Sequence, residues 1–468
     1  MQEEVSPNVA NFVKSLRDIG YTFEVAIADI IDNSISASAN EIKIYAVEKP
    51  KPIVCILDNG AGMNEFELKE AMRLSSKDPY IQREQNALGK FGLGLKTASF
   101  SQCKKLTVVS KQDEKIYAKC WDLDYISKEN KWLLLTVDVD KFDKELDEIY
   151  SDFIKNKSAT LVIWENIDKI SDFTEQLQVL REHLALVFHN FLENNVIGRK
   201  KMQIYLNDNL IQPFNPFNQN NYATYTKSPE IIQHGGKKIK ITPFILPHHS
   251  KVSQSEWEKY GGREGYIKSQ GFYLYRADRL LVHGQWWGLI KPSDATKLVR
   301  IKIEISNDQD DFWNIDVKKS IANPQGDLKN KLKSIVKHSI EDGRKPFSIR
   351  GRKINDKSVI RFWDLIKEDS RSHFAINKNN PVYLKLLNLL DDESKKILQI
   401  YLKQLEAYIP LEAIQAELQQ NPFKFKQEQI ISDEEKQQIL ECLKTLGLND
   451  EEIKKIEIFK KNKELFNE

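Results

Sequence analysis

From residue 8 to about residue 170, short helical patterns alternate with the β-rich runs EIKIYAV, PIVCILD, KLTVVSK, WLLLTVDV and ATLVIWENI. Alternation on this scale restricts the segment to helices layered on a sheet, an α/β sandwich, because each run must bury its apolar side against another element. The helix pattern FTEQLQVLREHLALVFHNFLE follows, and then the strand patterns MQIYLND, GKKIKITPFIL, GFYLYRADRLLV and LVRIKIEIS. These predict a second, α+β domain over residues 171–346. Beyond Pro346 no run reads convincingly as a strand, whereas NPVYLKLLNLLDDESKKILQIYLKQLEAYI and SDEEKQQILECLKTLGL carry apolar residues at helical spacing. Ser432 followed by Glu435 is the pattern of a capping box at a helix start. The predicted fold class is α/β (α+β), with domains over residues 1–170, 171–346 and 347–468.

A chain of 468 residues, 41% hydrophobic and 29% charged, is long enough for two or three cores. Lys and Arg total 70 against 68 for Asp and Glu, so any basic surface must be local. One local excess lies between residues 329 and 361 and includes Arg350, Arg352 and Lys353. Its FSIRGRKIN segment reads as a flexible basic loop between the second and third domains, able to neutralise DNA phosphates without reading bases, or else as the wet face of a basic helix. Cys55, Cys103, Cys120 and Cys442 form no C-x-x-C pair, which signals neither a zinc site nor a disulfide framework and suits a reducing cytoplasm. The opening residues lack a basic stretch followed by an apolar core, and no run of about 18 apolar residues occurs, so neither secretion nor a membrane span is expected.

Three clusters carry candidate chemistry. In AIADIIDNSISASA, Ala26, Ile27, Ile30 and Ile31 form an apolar side, and Asp29 and Asn33, four apart, share the opposite face. An Asn amide oxygen is a good ligand for Mg²⁺, and a carboxylate one turn earlier can polarise an attacking water. Asp32 is expected to point elsewhere. The plainer alternative is a solvated face with Asp29 and Asp32 exposed.

PIVCILDNGAGMN is a buried-looking strand ending in Asp58, followed by Gly60 and Gly62. Such glycines allow positive φ and a close approach of backbone to a flat ring, and Asp58 can accept from the exocyclic amine of adenine. The alternative is a strand closing in an Asp-Asn-Gly turn. NALGKFGLGLKTASFS places Gly89, Gly92 and Gly94 ahead of a helix, where freed amides make an anion site and Lys96 adds a charge for a terminal phosphate. It is not a Walker loop, because Leu95 separates Gly94 from Lys96, and no strand precedes it as a dinucleotide fingerprint requires. The polar residues 75–85 read as a flap leading into these glycines, or as a plain surface loop. Thr160 of SATLVIW stands at the entry to a β-rich run, where its hydroxyl can support Asp58 or a water on adenine.

Taken together, DIIDN, DNGAGM, GKFGLGLK and SATLVIW resemble the four motifs of the GHKL superfamily, which includes gyrase-type topoisomerases, MutL proteins, chaperones of the ninety-kilodalton class, histidine kinases and MORC proteins. The resemblance implies a Bergerat fold binding ATP and Mg²⁺. It implies that Asn33 holds the metal, Asp58 reads adenine, and Gly60, Gly62 and Met63 lie along the base. The loop Gly89, Lys90, Phe91, Gly92, Leu93, Gly94 and Lys96 would then cover the phosphates, with Thr160 supporting the base site. The hydrolytic branches usually carry Glu where this chain has Asp29, so the candidate base is one methylene shorter.

The resemblance extends more loosely beyond this third of the chain. Residues 201–324 look like a transducer domain, and DDFWNIDVKKSIANP is similar to its lysine-bearing loop, with Lys318 the first choice for the phosphate-directed lysine and Lys319 the second. Two solvated lysines are the alternative. Arg276 and Arg279 lie beside aromatics, near Trp286 and Trp287, which suits a partner or nucleic-acid surface or ordinary packing. His248 and His249 have no third ligand in view. SLRDIGYTFEVAIADIIDNSISASA, RADRLL and IPLEAIQAEL together look like prokaryotic MORC-like proteins. The expectation is an ATPase acting as a nucleotide-gated clamp, a homodimer when ATP is bound, on DNA and in restriction or phage defence beside a separate nuclease or effector. A non-hydrolysing adaptor and a protein-directed switch are the alternatives.

Overall fold

In the computed structural model, strand Glu41–Val47 (β1) alternates half-buried and buried residues, whereas Ile53–Asp58 (β2) is buried along nearly its whole length. The difference follows from what covers each face. Val54 and Ile56 enter a large core that also takes residues from helices Val9–Arg17 (α1), Phe23–Ser36 (α2), Glu65–Met72 (α3), Gly94–Gln102 (α4) and Phe173–Val187. Cys55 and Leu57 enter a smaller core on the opposite face, closed by Ile149 and Phe153 of helix Asp147–Lys155. A strand covered on both faces reads as a continuous apolar run, which is the IVCIL of the sequence.

The structure describes residues 3, 8–18, 20–48, 50–74, 88, 94–138, 146–170, 172–316, 319, 321–352, 359–367, 372–420, 424, 427–460 and 466, with side chains of 342–352, 419–420 and 428–429 not described. Among these, no helix is long and apolar enough to cross a membrane.

The remaining strands of the first sheet are Cys103–Gln112 (β3), Lys115–Asp122 (β4), Leu135–Thr136 (β5), Ala159–Ile167 (β6), Gln203–Leu206 (β7) and Asn209–Leu210 (β8), in the order β5-β4-β3-β6-β2-β1-β7-β8. Of the described residues of the expected run WLLLTVDV, Leu135 and Thr136 are strand. One expectation is corrected here. The sequence pattern places MQIYLND in the second domain, yet β7 pairs in parallel with β1, Ile42 opposite Ile204 and Ile44 opposite Leu206. Without β7, the β1 edge would present unpaired backbone groups beside a buried core.

A second sheet contains Tyr225–Thr226 (β9), Glu230–His234 (β10), Lys237–Ile245 (β11), Gly271–Arg276 (β12), Arg279–Gln285 (β13) and Val299–Ile305 (β14), ordered β10-β11-β14-β12-β13 with β9 on β11. Both sheets belong to one compact unit, Met1–Leu246 with Tyr260–Ile340, which takes in the first predicted segment and most of the second.

The other unit comprises Pro247–Lys259 and Glu341–Glu468. It is mainly helical, with a small core of Leu440, Leu443, Leu448, Ile453, Ile456 and Phe459. The capping box at Ser432 and Glu435 is formed, each side chain meeting the other's backbone N–H. Two expectations are corrected in this part of the chain. Trp363–Lys367 (β15) and Ser372–Ile376 (β16) form an antiparallel hairpin where the sequence pattern predicts no strand. Their runs, WDLIK and SHFAI, are too short and too mixed in polarity to stand out by alternation. The basic segment FSIRGR is not a loop, because helix Gly326–Arg352 carries it through Pro346. Lys353 lies outside the described residues.

Candidate nucleotide site

Helix α2 ends against the loop that follows β2, and this meeting builds the first half of the site. Asp58, the last residue of β2, is only 5% exposed. Its Oδ2 accepts from the Ser34 hydroxyl of α2 at 2.7 Å and its Oδ1 from the Gly60 N–H at 2.9 Å. Asp58 stands opposite Thr160 across the β2–β6 ladder, and the Thr160 N–H also donates to the carboxylate. Burial raises the Asp58 carboxyl from its ordinary range, and these hydrogen bonds oppose that rise by favouring the charged form.

The loop after Asp58 is pinned at nearly every residue. Asn59 Oδ1 accepts from the N–H groups of Asn40 and Glu41, both at 3.0 Å. Ala61 N–H donates to the Ala37 carbonyl at 3.0 Å, the Ser158 hydroxyl to the Gly60 carbonyl at 2.7 Å, and Met63 N–H to the Ser110 hydroxyl at 2.8 Å. A side chain at Gly60 would lie 2.8 Å from the Asp58 Oδ1. Gly62 has φ +69°, and a β-carbon there would fall 1.9 Å from the Lys111 carbonyl oxygen. Both positions need glycine, for close approach at Gly60 and for backbone conformation as well at Gly62.

The second half is a buried array of charges. Asp29 is 2% exposed and Asp32 1%, so the solvated-face alternative fails for both. Asp29 Oδ2 accepts from the Tyr21 hydroxyl at 2.9 Å and its Oδ1 from Lys319 Nζ at 3.0 Å. Asp32 Oδ2 accepts from the same ammonium at 2.6 Å, and its Oδ1 from Arg279 Nε at 2.8 Å. The expectation that Asp32 points elsewhere is corrected, since residues three apart on a helix are neighbours and both carboxylates turn to Lys319. Burial raises the Asp29 carboxyl, Asp32 adds to the rise, and Lys319 and Arg279 oppose it. Burial, together with the Asp29 charge, likewise raises the Tyr21 phenol.

Lys319 arrives from the loop after the second sheet. Its φ is +56°, and Asp316 anchors the turn by accepting the Lys319 N–H on its carbonyl and the Ile321 N–H on its carboxylate. The expected first choice, Lys318, lies outside the described residues.

Asn33 is exposed at the C-terminal end of α2, and its side chain makes no hydrogen bond among the described residues. Its amide oxygen is thus available to a cation, while the nearby carboxylates are taken by Lys319 and Arg279. This suits Mg²⁺, which keeps several waters and takes few protein ligands beside phosphate oxygens.

Of the glycine-rich loop, Gly89, Lys90, Phe91, Gly92 and Leu93 lie outside the described residues, as do residues 75–85. Its two ends are described. Gly94 opens α4 facing Asp29, whose Oδ2 would lie 3.5 Å from a β-carbon placed there. Lys96 is buried, and its Nζ donates to the Ala71 carbonyl at 2.8 Å. Leu88, just before the loop, accepts on its carbonyl from Arg276 Nη1 at 3.1 Å.

Arg276 and Arg279 are therefore buried ion-pair residues rather than an exposed surface. Arg276 grips Asp310 through two bonds of 2.6 and 2.9 Å. They face each other across a two-residue hairpin turn whose Ala277 and Asp278 both have positive φ. Sequence reasoning missed Tyr21, Ser34 and Ser110, whose roles depend on contacts from other elements, and it undervalued Asp32, whose three-residue offset from Asp29 was the available signal.

Known proteins resemble part of this chain. The family described as histidine kinase-, DNA gyrase B- and HSP90-like ATPase matches residues 21–160. The chain is 22% identical over 201 residues to human MORC family CW-type zinc finger protein 1, covering 36% of the chain and 20% of that protein. It is 32% identical over 93 residues to mouse ATPase MORC2B and 29% identical over 93 residues to human ATPase MORC2, in each case covering 19% of the chain and 9% of the relative. The chain thus spans only a minor part of the length of these relatives. Through residues 21–160 the chain carries a domain of the GHKL ATPase type, and it is similar to MORC proteins over part of its length.

Proposed function

We propose that this protein is an ATP- and Mg²⁺-dependent ATPase that works as a nucleotide-gated dimerising clamp. The observation that carries the reading is that one helix, α2, meets a buried, hydrogen-bonded Asp58 through Ser34 and carries the Asp29 of the Asp29–Lys319 ion pair. Asp58 takes the amine of adenine, and Asn33 offers its amide oxygen to Mg²⁺, which would neutralise phosphate charge when bound. Lys319 is the cation for the terminal phosphate. When a phosphate competes for its ammonium, an oxygen of Asp29 becomes available to orient and deprotonate water.

The clamp acts on DNA, through the local excess of Lys and Arg in the sequence between residues 329 and 361, and in phage defence or restriction beside a separate nuclease or effector. Steady-state phosphate release with ATP and Mg²⁺, and gel-shift titration of duplex DNA across salt concentrations, test the two parts. Slow but measurable release and salt-steep, sequence-tolerant binding are expected. DNA binding that is absent with and without ATP would turn the reading to a protein-directed switch.

One observation favours a second reading, a non-hydrolysing adaptor. Both oxygens of Asp29 already have partners, Tyr21 and Lys319. ATP binding without any phosphate release would establish that alternative.

A further inference from the structure

From the hairpin joining β12 and β13, we infer that Arg279 is a positioning residue for hydrolysis, holding Asp32 so that Lys319 is shared between Asp32 and Asp29. This rests on the reading of Asp29 as the base. The contacts form one continuous chain: Arg279 Nε to Asp32 Oδ1 at 2.8 Å, Asp32 Oδ2 to Lys319 Nζ at 2.6 Å, and Lys319 Nζ to Asp29 Oδ1 at 3.0 Å. All four side chains are buried.

Arg279 is itself firmly placed. It occupies the first position after a tight turn, with its guanidinium 5.7 Å from the centre of the Phe188 ring. The turn is tied down where the Asp278 carbonyl accepts from Asn190 Nδ2 at 2.9 Å. The hairpin therefore presents a fixed guanidinium to a helix of the first sheet's large core.

Two carboxylates and two cations make a balanced buried set. Without Arg279, Lys319 is the one cation left on Asp32 among the described residues, and at low local dielectric the ammonium is drawn toward Asp32 and away from Asp29 and from a phosphate. Among the described residues, Arg279 forms no hydrogen bond with Asp29, Asn33 or Asp58. Its loss should thus act on turnover, and leave the adenine contact alone.

The test uses the full chain with Arg279→Met, Arg279→Lys and the double variant Asp32→Asn/Arg279→Met. Calorimetry reads ATP affinity, phosphate release reads kcat and KM, and thermal unfolding reads the fold. Arg279→Met is expected to lose about 10- to 100-fold in kcat with a much smaller change in ATP affinity, because the adenine contact is untouched. Arg279→Lys should recover part of that loss. The double variant should also recover, because the carboxylate that captures Lys319 is gone. A folded Arg279→Met protein with wild-type kcat overturns the proposal, and so does a double variant no faster than Arg279→Met. Failure of all three variants to fold makes Arg279 a stability residue and overturns it as well. If wild type binds ATP without releasing phosphate, the hydrolytic reading falls and takes this proposal with it. Normal wild-type turnover, by contrast, confines any failure to the role of Arg279.

Discussion

Asp58 and Asp29 are both buried carboxylates, one hydrogen-bonded to α2 and the other carried by it, yet their partners differ in kind. Asp58 is held by neutral donors, Ser34, Gly60 and Thr160, which favour the charged form against the rise that burial imposes. Asp29 is held by a cation and a phenol and sits in a charge array. Asp58→Ala should therefore abolish ATP binding in calorimetry. Asp29→Ala should retain binding while turnover falls by about 10²- to 10⁴-fold, the range a general base contributes. Wild-type phosphate release from Asp29→Ala would remove it from the role of base. Gly62 offers a purely steric prediction. Its φ of +69° resembles the +78° of Gly198, but a β-carbon at Gly198 meets nothing within 4 Å, whereas one at Gly62 meets the Lys111 carbonyl at 1.9 Å. Gly198→Ala should cost about 1–3 kcal/mol through backbone strain. Gly62→Ala should lower the melting temperature clearly further, and equal losses would show that the loop yields to the added methyl.

At the scale of elements, the DNGAGM loop and the RADR hairpin do complementary work. The loop is pinned by α2, β3 and β6, so it is set before any ligand arrives. The hairpin reaches from the second sheet with two arginines, one on Asp32 and one on the Leu88 carbonyl at the entrance to the glycine-rich stretch. Arg276 thus ties the start of that stretch to Asp310. Arg276→Met removes both of the bonds that Arg276 makes to the buried Asp310 and its bond to the Leu88 carbonyl, so both stability and the phosphate-side contacts should suffer. The expected result is a several-kcal/mol loss of stability, about 3–5 for breaking a buried pair, with a raised KM for ATP. An Asp310→Asn/Arg276→Met variant that regains stability but keeps the raised KM would separate the two effects. Restoration of both would assign Arg276 to packing alone.

For the whole molecule, the clamp reading predicts a change of mass. A non-hydrolysable ATP analogue with Mg²⁺ should convert the protein to dimers in light scattering, because a ligand shifts an assembly equilibrium by its differential affinity for the two states. Asn33→Ala should block the shift by removing an exposed amide that carries no side-chain hydrogen bond among the described residues. An unchanged monomer mass at micromolar protein, with ATP bound, would count against the clamp while leaving the nucleotide site intact.

Much of the fold and half of the site were legible in the chain alone. The apolar runs announced the strands of the first sheet because burial of one or both faces dictates their composition, as β1 and β2 illustrate. Gly60, Gly62 and Asp58 were legible because a strand end with a close backbone approach needs those residue types in that order. Contacts between residues far apart in sequence were decided only in three dimensions. Nothing local to MQIYLND says that it will extend the first sheet beside β1, since strand pairing depends on which edge is free. Lys319 meets Asp29 across 290 positions and Arg279 meets Asp32 across 247. Helical spacing could place Asp29 and Asp32 near each other, but only the packing of the second sheet supplied the cations that make burying two carboxylates tolerable.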